Sequence, residues 1–486
     1  MSGGALRARR WDVLVLGGAL PGLVASIRLA MSGLRVLLVE EERAARQPIL
    51  LREPFLLPGP ADEAVLDPCL RALGLAMIER RAFETDPLAL QVLLPNLRVE
   101  LGAAAATTEE LVAWGLAKPE EARDLVRSLE AAGRAELEAL MAAPLVRSGG
   151  LRALSRLRPS RAERPGAAAL ETGAGPGHRP AAPAPRHPRG LPGAVAAARP
   201  PLSWVLDAAV RALSNLAGAE PSPEARARLL GALLAGGGVF QRDAIPLREL
   251  LRKRFEAVHG EVRTLGCPFE FVHAGDDPGI ARIGPDDAWL GRALVINAPV
   301  ARVAEALAAW RRPAPSFLAG PRPTHRRLAV HLRALSEVVP EGLARRSVMV
   351  RDPSAPARET NAISLAVHPS TRGARFTELV ASAVVPDHVQ APEQVAELLE
   401  AAVTELMPFC EGRFARAPLA PPPVWDDEAA LADPEGGNAW PGDVSIRGAG
   451  RRPVYVLRRE GLAGLGTEGD LLLGWRAGDA IREELS

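Results

Sequence analysis

The stretch VLVLGGALPGLVASIRLAMSGLRVLLVEEE, residues 13–42, decides the fold. An apolar, β-rich run ends at Gly17, and a segment of helical spacing follows, with Pro21 near its first turn and Gly33 just past its end. A second apolar run, LRVLLVE, closes the stretch. The change of period from strand to helix and back to strand predicts a βαβ unit.

The turn between the first strand and the helix has the glycine spacing of a loop that holds a dinucleotide's pyrophosphate. Such a loop needs glycine for a tight turn, for backbone approach to the phosphates and for close packing of helix on strand. Gly17 and Gly22 supply the first and third, Gly18 lies between them, and Ala19 stands at the second, where its methyl group would face the phosphates. The helix N-terminus still offers unpaired amides to an anion. Glu40, at the tip of the second strand, is placed to accept hydrogen bonds from a ribose hydroxyl.

Composition narrows the class of protein. A chain of 486 residues suggests two or three domains, and a net charge of +1 gives no field that would attract nucleic acid. Cys69, Cys267 and Cys410 lie far apart with no CxxC pair, so we expect free, mostly buried thiols in a reducing compartment. Because no uninterrupted apolar stretch reaches the roughly 20 residues of a spanning helix, we expect a soluble, cytoplasmic protein, with peripheral membrane contact left open.

Motifs of other enzyme classes do not occur in this sequence. It holds no HExxH, no GxSxG elbow and no GxxxxGK[ST] loop, and its histidines are spread without paired-ligand spacing. We therefore expect no metal site. No catalytic side chain can be identified from the sequence.

Several segments together resemble the FAD-dependent oxidoreductases of the phytoene desaturase and monoamine oxidase group. The resemblance covers about the first forty residues, about 247–310 and about 460–484. In that family the chain leaves the flavin domain after the second strand, builds part of a substrate domain, returns, and closes with a glycine-bearing helix beside the flavin. The resemblance implies an α/β fold, α+β overall: a Rossmann-like FAD-binding domain with a discontinuous second domain of antiparallel sheet plus helices.

The resemblance also implies which residues contact FAD. Gly17, Gly22 and Glu40 match the pyrophosphate loop and the ribose carboxylate. The stretch HGEVRTLGCPFEF, residues 259–271, is similar to the segment that holds adenine. ALVINAP, residues 293–299, resembles the strand and loop near the cofactor, and GLGTEGDLLLGWRAGDAI, residues 464–481, resembles the terminal segment beside the isoalloxazine ring. The residues assigned to FAD are Gly17, Gly18, Ala19, Gly22, Glu40, Arg43, Phe269, Ala298, Glu468 and Gly469. Independently, Thr467 and Asp470 have the spacing of a capping box, which predicts a helix start there.

The chain also departs from the family pattern. After the second strand it reads EEERAARQPILLREP, residues 40–54, with arginines but no Gly-Gly-Arg turn. QRDAIPL, residues 241–247, stands where the family has a glycine pair, and VYVLRREGLAG, residues 454–464, lacks the aspartate that meets the cofactor.

The same resemblance and the changes in composition divide the chain. We expect FAD-binding parts at 1–60, 246–310 and 446–486, and a substrate domain at 311–445. Helical cap segments are expected at 61–157 and 202–245. Between them, 158–201 is rich in Pro, Ala, Gly and Arg, which predicts a disordered linker.

Three hypotheses for function follow. The first is an FAD-dependent oxidoreductase that takes a hydride from an apolar or amine-bearing small molecule. The second is a catalytically silent relative that keeps the fold to bind a partner or a lipid-like ligand, with the glycines retained for packing. The third is an NAD-binding protein, for which Glu40 serves equally, while Glu41 and Glu42 disfavour the extra phosphate of NADP.

Overall fold

The computed structural model describes residues 7–59, 64–81, 83–142, 146–147, 191–240, 245–266, 268–282, 287–368, 375–389, 391–434, 444–445 and 453–486. The helices are α1 Leu20–Ala30, α2 Glu42–Ala45, α3 Ile49–Arg52, α4 Leu66–Ala72, α5 Met77–Arg80, α6 Ala104–Ala113, α7 Pro119–Ala142, α8 Gly193–Ala196, α9 Leu202–Leu213, α10 Pro223–Leu233, α11 Leu247–Ala257, α12 Val300–Ala309, α13 Pro392–Leu406 and α14 Gly466–Leu485. Short 3-10 turns span Ser316–Leu318, Ser336–Val338, Glu359–Asn361, Pro408–Cys410 and Arg459–Leu465.

The strands are β1 Arg7–Leu16, β2 Val36–Glu41, β3 Leu57–Pro58, β4 Phe83–Asp86, β5 Leu88–Leu94, β6 Leu97–Gly102, β7 Val146–Arg147, β8 Gly237–Phe240, β9 Glu261–Leu265, β10 Phe269–Ala274, β11 Asp277–Arg282, β12 Asp287–Ile296, β13 His325–Leu335, β14 Arg346–Val350, β15 Ala362–His368, β16 Phe376–Pro386, β17 Phe414–Arg416, β18 Ala430–Leu431, β19 Val444–Ser445 and β20 Val454–Val456. Two larger sheets contain most of them.

The βαβ unit is β1, α1 and β2, as the sequence predicts. It forms the centre of a seven-stranded sheet of order β10-β11-β12-β1-β2-β9, with β20 beside β12. The pairs β12–β1, β1–β2, β2–β9 and β12–β20 are parallel, and β10–β11–β12 is antiparallel. All six residues of β2 are buried, which fits a continuous apolar run in a strand covered on both faces.

Helix α14 covers α1 on one face of this sheet. The two helices cross so closely that a Cβ on Gly474 would lie 2.4 Å from the carbonyl oxygen of Pro21. The C-terminal segment therefore returns to the first domain, as the predicted chain route requires. The helix, strand and strand predicted from residue 247 onward, and the strand, loop and helix predicted around residues 293–310, are confirmed as α11–β9–β10 and β12–α12.

The second sheet has eight strands in the order β17-β13-β16-β15-β14-β5-β6, with β18 paired to β13. Every neighbouring pair is antiparallel except β14–β5. The antiparallel sheet predicted for the substrate domain is confirmed in β13, β15 and β16. The predicted fold class, a Rossmann-like domain with a discontinuous second domain of antiparallel sheet and helices, is therefore confirmed.

The expectation that 61–157 is a helical cap segment rather than part of a sheet is corrected by the structure, which has strands as well as helices there. Its strands β5 and β6 extend the second sheet, because LALQVLL is a short apolar run that pairs with β14 and buries five of its seven residues. Most of the predicted linker, 158–190, lies outside the described residues. The described residues resume at Leu191 and Val195 is buried, so packed structure begins about ten residues before the predicted end of the linker.

Cys69 and Cys410 are buried free thiols, as predicted, and Cys267 lies outside the described residues. Among the described helices, none has both the length and the apolarity to cross a bilayer.

Candidate cofactor site

The turn between β1 and α1 is built on Gly17. This residue has φ +107°, a left-handed value that favours glycine, and its N–H donates to the Val39 carbonyl at 2.8 Å. A Cβ here would lie 2.9 Å from the backbone nitrogen of Ala298, just past the end of β12. Gly17 and Ala298, both predicted from sequence, are therefore in contact.

Asn297 connects this turn to the strand beside it. Its side-chain amide donates to the carbonyl oxygens of Gly17 at 3.2 Å and Ala19 at 3.1 Å. Ala19 is the N-cap of α1 and is buried. The sequence assigns no role to Asn297. Nothing in the segment ALVINAP shows which of its side chains faces the loop.

Gly22 lies directly under the turn. A Cβ on Gly22 would lie 2.4 Å from the Asn297 Nδ2 atom and 2.5 Å from the Gly17 carbonyl oxygen. Gly22 therefore has the packing role that the third glycine of such a loop requires.

We expect Gly22→Ala to lower the free energy of unfolding by about 1–3 kcal/mol, because the added methyl group must displace backbone as well as the Asn297 amide. Urea unfolding measures the loss. The matched control is Gly193→Ala, where no described atom lies within 4 Å of the new Cβ. Equal stability of the two variants would show that the turn accommodates a side chain.

Gly18 and Glu40 lie against each other. A Cβ on Gly18 would lie 2.1 Å from the Glu40 Oε1 atom, so the carboxylate rests on the loop backbone. Glu40 is buried and pairs with Arg252 at 3.3 Å and Arg52 at 3.9 Å. The Gly18 carbonyl accepts from Arg248 Nη1 at 2.6 Å. The predicted ribose carboxylate is thus beside the predicted phosphate loop, with three guanidinium groups around it.

A distant segment of the chain enters this site. We call Val424–Glu428, sequence VWDDE, the 424–428 segment. The Gly18 N–H donates to Asp426 Oδ2 at 3.1 Å, and the Glu41 N–H donates to the same oxygen at 3.3 Å. An amide of the glycine turn therefore already has a carboxylate acceptor supplied by the protein.

Glu41 holds the 424–428 segment by its backbone. Its carboxylate accepts N–H groups from Val424 at 2.8 Å, Trp425 at 2.7 Å and Asp426 at 3.0 Å. Glu41 is 1% exposed. Three charge-assisted hydrogen bonds in a buried setting fix the segment against the end of β2.

Trp425 packs against Phe269, the residue that the resemblance assigns to adenine. It is fully buried, and its ring centroid is 5.4 Å from that of Phe269, with the planes at 71°. Trp310 contacts the same phenylalanine at 5.3 Å. Phe269 thus lies in an aromatic cluster with edge-to-face geometry, and one member belongs to the 424–428 segment.

Burial and neighbouring charges shift the pKa values of two carboxyl groups in the segment. Burial raises the pKa of Asp426 to about 7, against the opposing attraction of Arg52. Burial alone would also raise the pKa of Glu428, but Arg248 and Arg52 hold it down to about 2. These two arginines lie 2.5 and 2.7 Å from the Glu428 carboxylate.

The remaining assigned residues lie elsewhere. Glu468 pairs with Arg228 through two contacts of 2.7 and 2.5 Å and accepts the Val65 N–H at 3.3 Å. A Cβ on Gly469 would lie 2.4 Å from the Leu462 carbonyl oxygen. Arg43 is exposed on α2 and makes no hydrogen bond or ion pair with another described residue.

The predicted capping box is wrong in detail. Helix α14 begins at Gly466, within one residue of the predicted start, but no side chain caps it. Asp470 instead accepts two hydrogen bonds of 2.7 Å from Arg459, an ion pair that sequence spacing could not indicate.

Besides the cavity that Glu40, Arg52, Arg248 and Arg252 help to line, three cavities adjoin this region. The first, beside the turn, is lined among others by Ala19, Asn297, Ala298, Asp426, Glu428 and Arg459. The second is lined among others by Leu20, Arg52, Arg248, Arg327, Arg459 and Asp470. The third lies under the second sheet and is lined among others by Arg211, His325, Arg327, Arg358, Ser364 and Ser382. Arg327, a residue of β13, lines both the second and the third.

A dinucleotide fits the framework of this site but not its present contents. The glycine turn, the α1 N-terminus and Glu40 are arranged as pyrophosphate and ribose contacts require. Asp426 accepts the Gly18 amide, and Trp425 packs against Phe269, the residue assigned to adenine. Among the described residues no cluster of three His, Cys, Asp or Glu could hold a metal ion.

Comparisons with known proteins support the fold. No protein-family model matches the chain, and no curated protein matches it in sequence. An oxidoreductase from Methanosarcina mazei superposes with a TM-score of 0.53 at 14% identity, covering 97% of this chain and 100% of that one. A putrescine oxidase variant with redesigned cofactor binding superposes with a TM-score of 0.52 at 13% identity, covering 98% and 100%. The resemblance found in the sequence is confirmed at the level of the fold.

Proposed function

We propose that this protein is an FAD-dependent oxidoreductase that oxidises a small molecule by hydride transfer to the flavin. The observation that carries the proposal is the glycine turn at the N-terminus of α1 with Glu40 at the end of the adjoining parallel strand. Support comes from the fold, which is shared along the full chain with an oxidoreductase and a putrescine oxidase.

The residues that would hold FAD follow from the framework. The amides of the turn at Gly17 and Gly18 and the N-terminus of α1 would bind the pyrophosphate, and Glu40 would accept from the ribose. Phe269 would contact the adenine. Ala298 would lie beside the cofactor, between the pyrophosphate and the adenine. A bound flavin supplies the hydride acceptor, while the protein supplies orientation and a site closed to water.

The cavity under the second sheet is the proposed substrate space. Its lining combines small side chains such as Ala212, Ala383 and Val384 with the guanidinium groups of Arg211, Arg327 and Arg358. Glu220 pairs with Arg211 and Arg358, and Glu359 also lines the cavity, so carboxylates offset these cations. We therefore propose an apolar or amine-bearing small molecule as the substrate.

We also propose a cytoplasmic location. It is supported by Cys69 and Cys410, which are free and buried as expected for a reducing compartment.

A second candidate function is a relative that keeps the fold without flavin and acts as a binding protein. The specific observation that favours it is Asp426, whose carboxylate already accepts the Gly18 amide. Under this candidate the two carboxylates Glu41 and Asp426 complete the site permanently.

The visible absorption spectrum of the purified chain, before and after incubation with excess FAD and desalting, tests the proposal. We expect the bands of oxidised flavin to persist after desalting. A colourless folded protein in both samples, and also in the Trp425→Leu variant described below, would contradict the oxidoreductase proposal and favour the second candidate.

A further inference from the structure

The 424–428 segment makes the contacts that a dinucleotide would otherwise make. Asp426 Oδ2 accepts the amides of Gly18, in the glycine turn, and Glu41, at the end of β2. A phosphate or ribose oxygen would compete for these donors, because each N–H has one proton to give. The carboxylate therefore takes the place of an anionic ligand.

The tryptophan of the segment also contacts a residue that the resemblance assigns to the dinucleotide. Trp425 is fully buried against Phe269, the residue assigned to adenine. A flat bicyclic indole and a flat bicyclic purine have similar apolar faces, so one excludes the other from this aromatic cluster.

The segment is held at both ends. Glu41 accepts three of its backbone amides at one end, and Glu428 pairs with Arg52 and Arg248 at the other. Arg459 Nη1 also donates to the Glu428 carbonyl at 2.7 Å. Such contacts distinguish a built-in occupant from a loop that merely passes by.

The fit of the segment has two defects. The Trp425 Nε1 atom is buried and makes no hydrogen bond with any described residue. The Asp426 carboxyl group is buried, with a pKa raised to about 7 by desolvation. Both defects cost free energy in the occupied state and are relieved when the segment moves into water.

We propose that the 424–428 segment is the resident occupant of the dinucleotide site in the free protein, and that a dinucleotide enters only after this segment leaves. The first half stands on the contacts alone. The second half rests on the proposed function, because it requires that FAD binds.

The first experiment is amide hydrogen exchange on the full chain, free of flavin and then with excess FAD. In the free protein we expect strong protection at the amides of Val424, Trp425 and Asp426, which Glu41 binds. Exchange at these amides as fast as in an exposed loop would overturn the first half. With FAD bound we expect their protection to be lost, whereas retained protection would overturn the second half.

The second experiment is a fluorescence titration of FAD with wild type, Trp425→Leu and the control Trp114→Ala. Trp114 is exposed and distant from the segment in sequence, so its removal should leave the Kd for FAD unchanged. The apparent Kd is inversely proportional to the fraction of molecules with an open site, so a variant that opens the site binds more tightly. We expect Trp425→Leu to bind FAD at least tenfold more tightly than wild type.

Equal affinity of wild type and Trp425→Leu would overturn the second half. Because Trp425 is a core residue, Asp426→Ala, which removes the acceptor of the Gly18 and Glu41 amides, provides a second variant for the same titration, and it too should bind FAD more tightly than wild type. If no folded variant binds FAD, the proposed function fails, while protection of the three amides in the free protein would still establish that the chain fills its own site.

Discussion

Replacing Arg228 by methionine is expected to lower the free energy of unfolding by about 3–5 kcal/mol, because it leaves the Glu468 carboxylate buried without its cation. Arg228 is 1% exposed and Glu468 is 3% exposed. After the substitution the carboxylate keeps the hydrogen bond from the Val65 amide at 3.3 Å, a single weak contact. The Gly133 carbonyl would also lose the hydrogen bond that Arg228 Nη1 donates to it.

The double variant Arg228→Met/Glu468→Leu is the diagnostic control. Replacing a buried ion pair by apolar side chains of similar volume is often neutral, so we expect the double variant to recover most of the lost stability. The matched exposed pair is Arg127 and Asp124, 3.5 Å apart with both side chains about three-quarters exposed. Arg127→Met should cost less than about 1 kcal/mol. Urea unfolding at neutral pH measures all three, and a loss below 1 kcal/mol in Arg228→Met would contradict this account.

The pair explains how the C-terminal helix is held. Glu468 is in the first turn of α14, Arg228 is on α10, and Arg228 Nη1 reaches the Gly133 carbonyl of α7 at 3.0 Å. The ion pair therefore ties the first domain to helices of the second. The sequence resemblance assigned Glu468 to the flavin, and its carboxylate pairs with an arginine that no local pattern marks.

The local features of the fold could be predicted from the sequence. The period of the apolar residues identifies β1, α1 and β2, and the glycine spacing identifies the turn between them. Glu40 follows from its position at the end of β2. These inferences succeed because each depends on residues within about thirty positions of one another.

The occupant of the site could not be predicted in that way. Asp426 contacts Gly18 across 408 positions of the chain and Glu41 across 385. The run WDDE is rich in carboxylates, which usually face solvent, and no property of the run itself reveals the arginines that neutralise it. The strand β5 was missed for a related reason, since its short apolar run acquires a partner, β14, only in the folded chain.

Raising the pH from 5 to 8 is expected to destabilise the protein through Asp426. Its pKa lies near 4 in an unfolded chain and is raised by burial to about 7 in the folded one. The stability contributed by the protonated form is complete below the unfolded pKa and is lost as pH rises through about 7. At about 1.4 kcal/mol for each unit between pH 5 and the folded pKa, the loss from pH 5 to pH 8 is about 3 kcal/mol.

Asp426→Asn should remove much of this pH dependence, because the amide keeps an acceptor oxygen for the Gly18 and Glu41 amides and carries no charge to desolvate. The other charged groups facing Asp426 are Arg52, Glu40 and Glu428. Glu53 also titrates in this range, since burial raises its pKa to about 7, so some pH dependence will persist in the variant. Unfolding in urea at the two pH values measures the effect, with the exposed Asp124→Asn as control. A wild type as stable at pH 8 as at pH 5 would mean that the carboxyl group is already ionised in the folded protein, with Arg52 outweighing the cost of burial.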